Sequence, residues 1–457
     1  MVRPGFGIEA GRAAPAGVPG LPTASMSIAR SWLERSRAHW DRGDADGALA
    51  CCRSALALEP DNVDALAAIG TLTWLQGDSA AAEAIWLRAL ALDPRHAGLA
   101  LNMATLRNEN GDFEASLAWV ARAEAVRPRD PEVVWRKSLL QLAMGDYTSG
   151  WQNHEAGLGQ PAIRGPAPGF RTPAWRGEPC GRLLIWHEQG LGDSLQFVRY
   201  AELCKQRVQR VQVLCPAELV SILKSCPFVD DASESVGVGD FDRHVSMMSL
   251  PHVFGTSLST VPARIPYLFA DPARSARCAA RIARPGLAVG LVWSGKVRTG
   301  QLRFRILDRS RSMSFADLAP LLATPGVAFY SLQKGPAAAE ARTGAMPDTC
   351  VGAAKSSTVM DLMDEVHDFA DTAAIIEHLD LVISVDTSVV HLAGAMGKPV
   401  WVMSRLDACW RWLRNQPTSP WYPTARVFGQ SVRGDWTGVV AQVAAELAAL
   451  ARTQGRP

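Results

Sequence analysis

The residues best suited to chemistry fall in a few tight groups. Asp386, Thr387, Ser388 and His391 lie within six positions at the point where an apolar run gives way to a helix-like stretch. The free N–H groups and positive dipole end of a helix start attract anions, and two hydroxyls add donors without adding charge. His391 stands four residues after Thr387, on the same face one turn further in, so the group is suited to a phosphate or diphosphate. Asp193 follows Gly190 and Gly192, whose bare backbone admits close approach of a ligand. Ser294, Lys296 and Lys334 each follow another apolar run, and Lys334 offers the compact positive charge that a departing diphosphate requires. Arg298, Arg303, Arg305, Arg309 and Arg311, interrupted by Asp308, form a basic loop. It reads as a clamp on a phosphorylated acceptor, a cover for the donor, or a solvated loop. Each residue also has a plainer reading: Asp193 and Asp386 as caps, Thr387 and Ser388 as turn residues, His391 as a packed histidine, the lysines as surface charge.

Strands and turns must bring these groups together. The β-branched run 381–385, the small residues Ala393, Gly394 and Ala395, and the apolar run 400–403 spell strand, helix, strand, with the polar turn where open α/β sheets bind ligands. Runs 183–187, 211–215, 243–247, 287–293 and 327–332 read as further strands, with helices expected at 194–206 and 217–224. The turn after 187 lacks the third glycine of a dinucleotide fingerprint, since Leu195 stands there. Asp240-Phe241-Asp242 spells a metal-binding DxD, but at the entry of its strand, the end opposite to that where ligands collect.

The front third is repetitive. Gly-Asp recurs at 43, 77, 111 and 145, and Pro60, Pro94 and Pro128 keep the same interval of 34 residues. This is the period of the tetratricopeptide repeat, a helix pair per unit. Gly-Asp marks the turn within each pair and Pro ends the second helix. Leu56, Leu58, Leu90 and Leu92 are expected in the stacked core; Trp74, Trp86, Trp119 and Trp135 fit either that core or a peptide groove. Residues 156–181 are rich in Gly and Pro and read as an extended linker.

The 457 residues call for several domains. A net charge of +2 gives no global field for nucleic acid or a membrane surface. The nine scattered cysteines favour a reducing cytoplasm, and no apolar run reaches the length of a membrane span. The first residues lack the apolar core of a secretory signal and are expected to be disordered, with Met26 as an alternative start.

Several motifs together resemble glycosyltransferase family 9, the heptosyltransferase family, in its branch with N-terminal tetratricopeptide repeats. They are HEQGLGDSLQFVRY (187–200), VGLVWSGK (289–296), RSM (311–313), YSLQKG (330–335), the stretch 368–401, WRWL (410–413) and SPWYPTARVF (419–428). The resemblance implies an α plus α/β multidomain chain, a repeat solenoid followed by two Rossmann-like lobes in the GT-B arrangement. The domains would be a disordered segment 1–26, repeats 27–155, linker 156–181, an acceptor lobe 182–275 and a nucleotide-sugar lobe 276–457 with a C-terminal helix. It implies metal-independent, cofactor-free, inverting transfer from a nucleotide-sugar to a glycan, lipid-linked glycan or protein. Asp193 would be the general base, and Ser294, Lys296, Lys334, Asp386, Thr387, Ser388 and His391 would bind the donor. Gly190, Gly192, Gln196, Arg311 and Trp410 would line the acceptor cleft, Trp410 by stacking. Heptosyltransferases usually carry Gly where Ser388 stands. The repeats would recruit acceptor or protein partner, with the chain cytoplasmic or peripheral at the inner membrane. Two alternatives stay open. One is a protein O-glycosyltransferase, because O-GlcNAc transferase also joins repeats to a GT-B unit. The other is an inactive repeat scaffold.

Overall fold

The computed structural model describes residues 24–237, 239–282, 285–296, 308, 310–343, 359–407 and 409–454. Residues 1–23 and the basic-loop residues Arg298, Arg303, Arg305 and Arg309 lie outside the described residues. The described residues fall into two compact units, 24–140 and 141–454, with 308 and 310 grouped with the first.

The first unit is built of helix pairs. These are α1 (Ala24–Asp41) with α2 (Ala45–Leu58), α3 (Val63–Leu75) with α4 (Ser79–Leu92), and α5 (Ala97–Glu109) with α6 (Phe113–Val126), then the start of α7 (Pro131–Ala143). The first helix starts at Ala24, three residues before the expected start of the repeats at 27. Gly43, Gly77 and Gly111 have φ of +78°, +100° and +75°, a left-handed turn that a side chain would strain. The aspartate after each caps the next helix: Asp44, Asp78 and Asp112 accept from the amides of Gly47, Ala81 and Ala115 at 2.9–3.0 Å. Gly-Asp is thus a stop signal fused to a start signal, which explains its strict period.

The expected core needs one correction. Ala55, Ala89 and Ala123 are fully buried, whereas Leu58 and Leu92 are exposed and Leu56 is only half-buried. Leu58 and Leu92 are the last residues of their helices, and the inward place one turn earlier belongs to the alanine. Trp74, Trp86 and Trp135 are buried, so they belong to the core and do not line a groove. The Trp74 indole donates to Glu109 Oε2 at 2.8 Å and the Trp86 indole to the Ala67 carbonyl at 3.2 Å. Trp119 is half-buried, with Arg122 stacked 4.2 Å from its ring.

The second unit carries α8 (Tyr147–His154) and two all-parallel sheets. The first sheet comprises β1 (Cys180–Trp186), β2 (Val208–Leu214), β3 (Asp231–Ser233) and β4 (Arg243–Ser246) in the order β3-β2-β1-β4. The second has β5 (Leu287–Val292), β6 (Val327–Ser331), β7 (Met360–Asp361), β8 (Leu381–Val385), β9 (Val400–Ser404) and β10 (Ala425–Gly429) in the order β10-β9-β8-β5-β6-β7. Strands β5, β8 and β9 are buried along their whole length, as their unbroken apolar runs require. These are two Rossmann-like lobes, and Trp436–Gln454 is the last described helix.

Two local expectations change. The helix expected at 194–206 begins at Leu191, as α9 (Leu191–Phe197), and then breaks into a 3-10 turn Val198–Tyr200 and a short helix Ala201–Lys205. At the break the Leu195 carbonyl accepts from the Tyr267 hydroxyl at 2.9 Å and the Gln196 carbonyl from Arg199 Nε at 2.8 Å. The Gly/Pro-rich stretch 156–181 runs largely as coil but is fastened to the first lobe. The Trp175 amide donates to the His244 carbonyl at 2.7 Å, and β1 begins inside the stretch at Cys180.

Helix α8 is part of the α/β core. Tyr147 and Trp151 are buried against Trp421, and Trp151 meets Phe197 of the first lobe and Trp410 of the second edge-on. The Trp421 indole donates to the Tyr147 hydroxyl at 2.9 Å. Arg199, also buried, donates to the Trp421 carbonyl at 2.6 Å and to the Tyr267 hydroxyl at 2.7 Å. One helix and one arginine therefore join the two lobes through aromatic packing.

Candidate active site

The carboxyl edge of the second sheet gathers the expected donor residues in register. Val292 pairs with Ser384, and Leu291 with Ser331. Two and three residues further on, Ser294, Lys334 and Asp386 stand abreast at the edge where such sheets bind ligands. Gln333, buried and unsuspected from sequence, fixes this edge. Its Oε1 accepts from the Trp293 and Ser294 amides at 3.1 and 2.9 Å, while its Nε2 donates to the Ser294 and Lys334 carbonyls, both at 2.9 Å. Three of the four bonds of this amide thus join the turn after β5 to the turn after β6, and the fourth braces the latter turn itself. Arg311 donates to the Lys296 carbonyl at 3.3 Å, so it supports this turn, and Lys296 itself is exposed. Lys334 is exposed too, with its ammonium on the Val366 carbonyl.

After β8, Thr387 is the N-cap of helix Ser388–Ala395, and its side chain makes no cap hydrogen bond. Thr387 Oγ1 instead lies 3.0 Å from Ser384 Oγ. The side chain is turned back onto the strand, so it caps none of the amides of the first helical turn. Asp386, Thr387 and Ser388 are all half-buried.

His391 is the packed histidine of the plainer reading. It is buried, its Nδ1 lies 3.0 Å from the Tyr422 hydroxyl, and its ring stacks on Trp412 at 5.6 Å with 14° between planes. Burial, then the charges of Arg411 and Arg199, push its pKa well below the usual imidazole value. It is neutral at pH 7 and brings no positive charge to a phosphate.

Asp193 is the third residue of α9, where its Oδ2 accepts from the Gly190 amide at 2.8 Å and closes the helix end. Its Oδ1 accepts from Arg411 Nη2. Gly192 is needed for lobe packing: a Cβ there would lie 2.8 Å from His391 Cδ2 and 3.3 Å from Ser388 Cα. The starts of α9 and of helix Ser388–Ala395 are therefore pressed together at this point. Gln196, expected in the acceptor cleft, is fully buried, with its Oε1 taking Arg411 Nε at 2.7 Å. Trp410 is also buried, because Trp151, Phe197 and Trp421 surround its ring, and it offers no stacking face.

Arg411 was not singled out in the sequence, and it is the hub. It donates to Asp193, Gln196 and Cys409 Sγ, the last at 3.0 Å, and its guanidinium lies 3.9 Å from the centre of the Trp410 ring. Burial disfavours its charge, but Asp193, Cys409 and Asp386 outweigh burial and raise its pKa. The available signal was an arginine between two tryptophans, a pattern that reads equally as packing.

A second missed network lies at the end of β1. Buried Arg164 donates to Glu188 through Nε at 3.0 Å and through Nη2, to Glu155 at 2.9 Å, and to Ser246 and Ser249 at 2.9 and 3.1 Å. Burial raises the Glu188 pKa, partly offset by Arg164. The DxD aspartate Asp242 is bound at the opposite end of the strands, where its Oδ2 accepts from the Arg182 amide at 2.7 Å and its Oδ1 from the Arg182 side chain at 3.0 Å. Among the described residues, no three His, Cys, Asp or Glu side chains converge as a metal site.

Residues 312–403 match glycosyltransferase family 9 (heptosyltransferase). The Caulobacter vibrioides protein FlbA is 28% identical over 352 residues, which is 68% of this chain. The chain spans 54% of the length of that relative. Escherichia coli ADP-heptose lps heptosyltransferase II superposes with a TM-score of 0.41 at 13% identity, over 61% of this chain and 100% of the other. A mutant of Thermobaculum terrenum O-GlcNAc transferase superposes at 0.34 and 15% identity, over 94% of this chain and 92% of its own. The chain thus joins helix-pair repeats of 34 residues to a region containing a segment that matches family 9.

Proposed function

We propose that this chain is a glycosyltransferase of the heptosyltransferase type, transferring a sugar from a nucleotide-sugar to a glycan, lipid-linked glycan or protein acceptor with inversion. The observation that carries this reading is the family 9 match over 312–403, which contains Lys334, Asp386, Thr387, Ser388 and His391. The reading is supported by Ser294, Lys334 and Asp386 standing abreast beside a helix start whose first amides no hydroxyl caps. Such a start receives an anion without rearrangement.

In the proposed reaction the acceptor oxygen bonds to the anomeric carbon as the bond from that carbon to the diphosphate oxygen breaks. The electron pair leaves with the nucleoside diphosphate, and the acceptor proton passes to the Asp193 carboxylate. Lys334 and the amides after Thr387 take up the charge of the leaving group, and no metal ion is invoked. Asp386 faces the sugar. His391 keeps helix Ser388–Ala395 seated and contributes no charge. The repeats recruit the acceptor or a protein partner. We place the chain in the cytoplasm or at the inner membrane face, in keeping with its free cysteines; among the described residues no helix is long and apolar enough to cross a membrane.

Asp193→Asn tests the assignment. Turnover should fall by about two to four orders of magnitude, the range of general base catalysis, with donor affinity nearly intact. Unchanged turnover would remove Asp193 as the base.

A further inference from the structure

We propose that Arg411 is the positioning residue for Asp193, and that it completes the base only when the two lobes are together. The inference rests on the glycosyltransferase reading and extends it to a residue outside the 312–403 match. Asp193 belongs to the first lobe, in the first turn of α9 after β1, while Arg411 belongs to the second, between β9 and β10. The two carboxylate oxygens are held from different lobes: Oδ2 by the Gly190 amide of its own helix, Oδ1 by Arg411. Each oxygen keeps a second lone pair, so a hydroxyl proton still has somewhere to go.

Arg411 is itself fixed on every side. Nε is on Gln196, Nη1 on Cys409 and Nη2 on Asp193, while Trp410 lies beneath the guanidinium plane. Trp410 is backed in turn by Trp151 of α8, ring centres 5.1 Å apart. A planar fork with three different acceptors has one orientation, which is what a base needs if its carboxylate is to meet a hydroxyl at hydrogen-bond distance. The close packing of Gly192 on Ser388 and His391 sets the spacing at which the fork reaches across. If the lobes move apart, Asp193 keeps its cap but loses its cross-lobe partner. Assembly of the base is therefore tied to closure.

The test uses the full chain and its variants Arg411→Lys, Asp193→Asn and the double variant. Release of nucleoside diphosphate from ADP-, GDP- and UDP-sugars is followed between pH 5.5 and 9, together with the melting temperature of each protein. Lysine keeps the charge but replaces the fork with a single point donor, so it isolates geometry from charge. The proposal expects kcat to fall about 10²-fold, as for a misplacement of about 1 Å, with the donor KM within threefold of wild type. It also expects the double variant to be no slower than Asp193→Asn alone, because a misplaced base that is already absent costs nothing more. An unchanged kcat in Arg411→Lys overturns the proposal. So does a raised KM at constant kcat, which would make Arg411 a donor contact, and so does an additive loss in the double variant. If the wild-type chain releases diphosphate from none of the three donors, the glycosyltransferase reading itself fails, and the positioning role falls with it.

Discussion

Trp151→Ala should destabilise the α/β unit, although Trp151 lies in the last of the repeat helices. The side chain is 2% exposed and its ring meets Tyr147, His154, Phe197, Trp410 and Trp421. Emptying so large a buried site costs about 3–5 kcal/mol. In native-state hydrogen exchange, that cost corresponds to about 10² to 10⁴-fold faster exchange for amides that open only with the whole unit. The amides to follow are those of β8, residues Leu381–Val385, and of α9. Trp151→Phe is the control. It loses part of the ring but also removes an indole N–H that finds no acceptor among the described residues, a burden of about 1–3 kcal/mol, so exchange should stay within about tenfold of wild type. Unchanged β8 protection in Trp151→Ala, or faster exchange confined to residues 24–140, would refute the claim that α8 belongs to the α/β core.

Two further outcomes follow from the same packing. A chain beginning at Gln141 keeps Tyr147 and Trp151 and should fold, whereas one beginning at Ala156 exposes the aromatic block and should aggregate; equal solubility of the two on gel filtration would contradict this. Acid should destabilise the protein before its carboxylates titrate. His154 and His391 are buried, and burial, reinforced by nearby arginines, depresses both pKa values well below 6.5. A depressed folded pKa gives stability that is present above the unfolded value and lost as pH falls below it. The two together should therefore cost about 2.7 kcal/mol per pH unit from about pH 6.5 downward. His391→Gln should roughly halve that slope in urea midpoints taken at pH 7.5, 6.5 and 5.5, and a flat profile would rule the argument out.

The elements set by local pattern were the legible ones. Gly-Asp and Pro at fixed spacing mark the helix pairs because the glycine conformation and aspartate cap are local events. The buried strands β5, β8 and β9 announce themselves as unbroken apolar runs, and so the sheet edge carrying Ser294, Lys334 and Asp386 was legible as well. What stayed hidden depends on partners far away in sequence. Arg411 meets Asp193 across 218 residues, Trp421 meets Tyr147 across 274, and Arg164 meets Ser249 across 85. No periodicity encodes such pairs. The same distance explains the errors at Gln196, His391 and Trp410. Each was a polar or aromatic residue beside a motif, with nothing local to show which distant residues bury it. The linker reading fell short for a related reason, since the Gly/Pro composition describes the backbone of 156–181 but not the partners of Arg164 and Trp175.

The most direct test of the central claim is thermal stabilisation of the full chain by ADP-, GDP-, UDP- and CMP-sugars, repeated with Lys334→Ala. A ligand that binds only the folded state, at about 100 times its dissociation constant, adds about 2.7 kcal/mol. The account predicts a rise in melting temperature with one nucleotide, much reduced in Lys334→Ala, which would locate the donor at the sheet edge after β6. No rise with any of the four would contradict it and leave the repeats as the functional part of the chain.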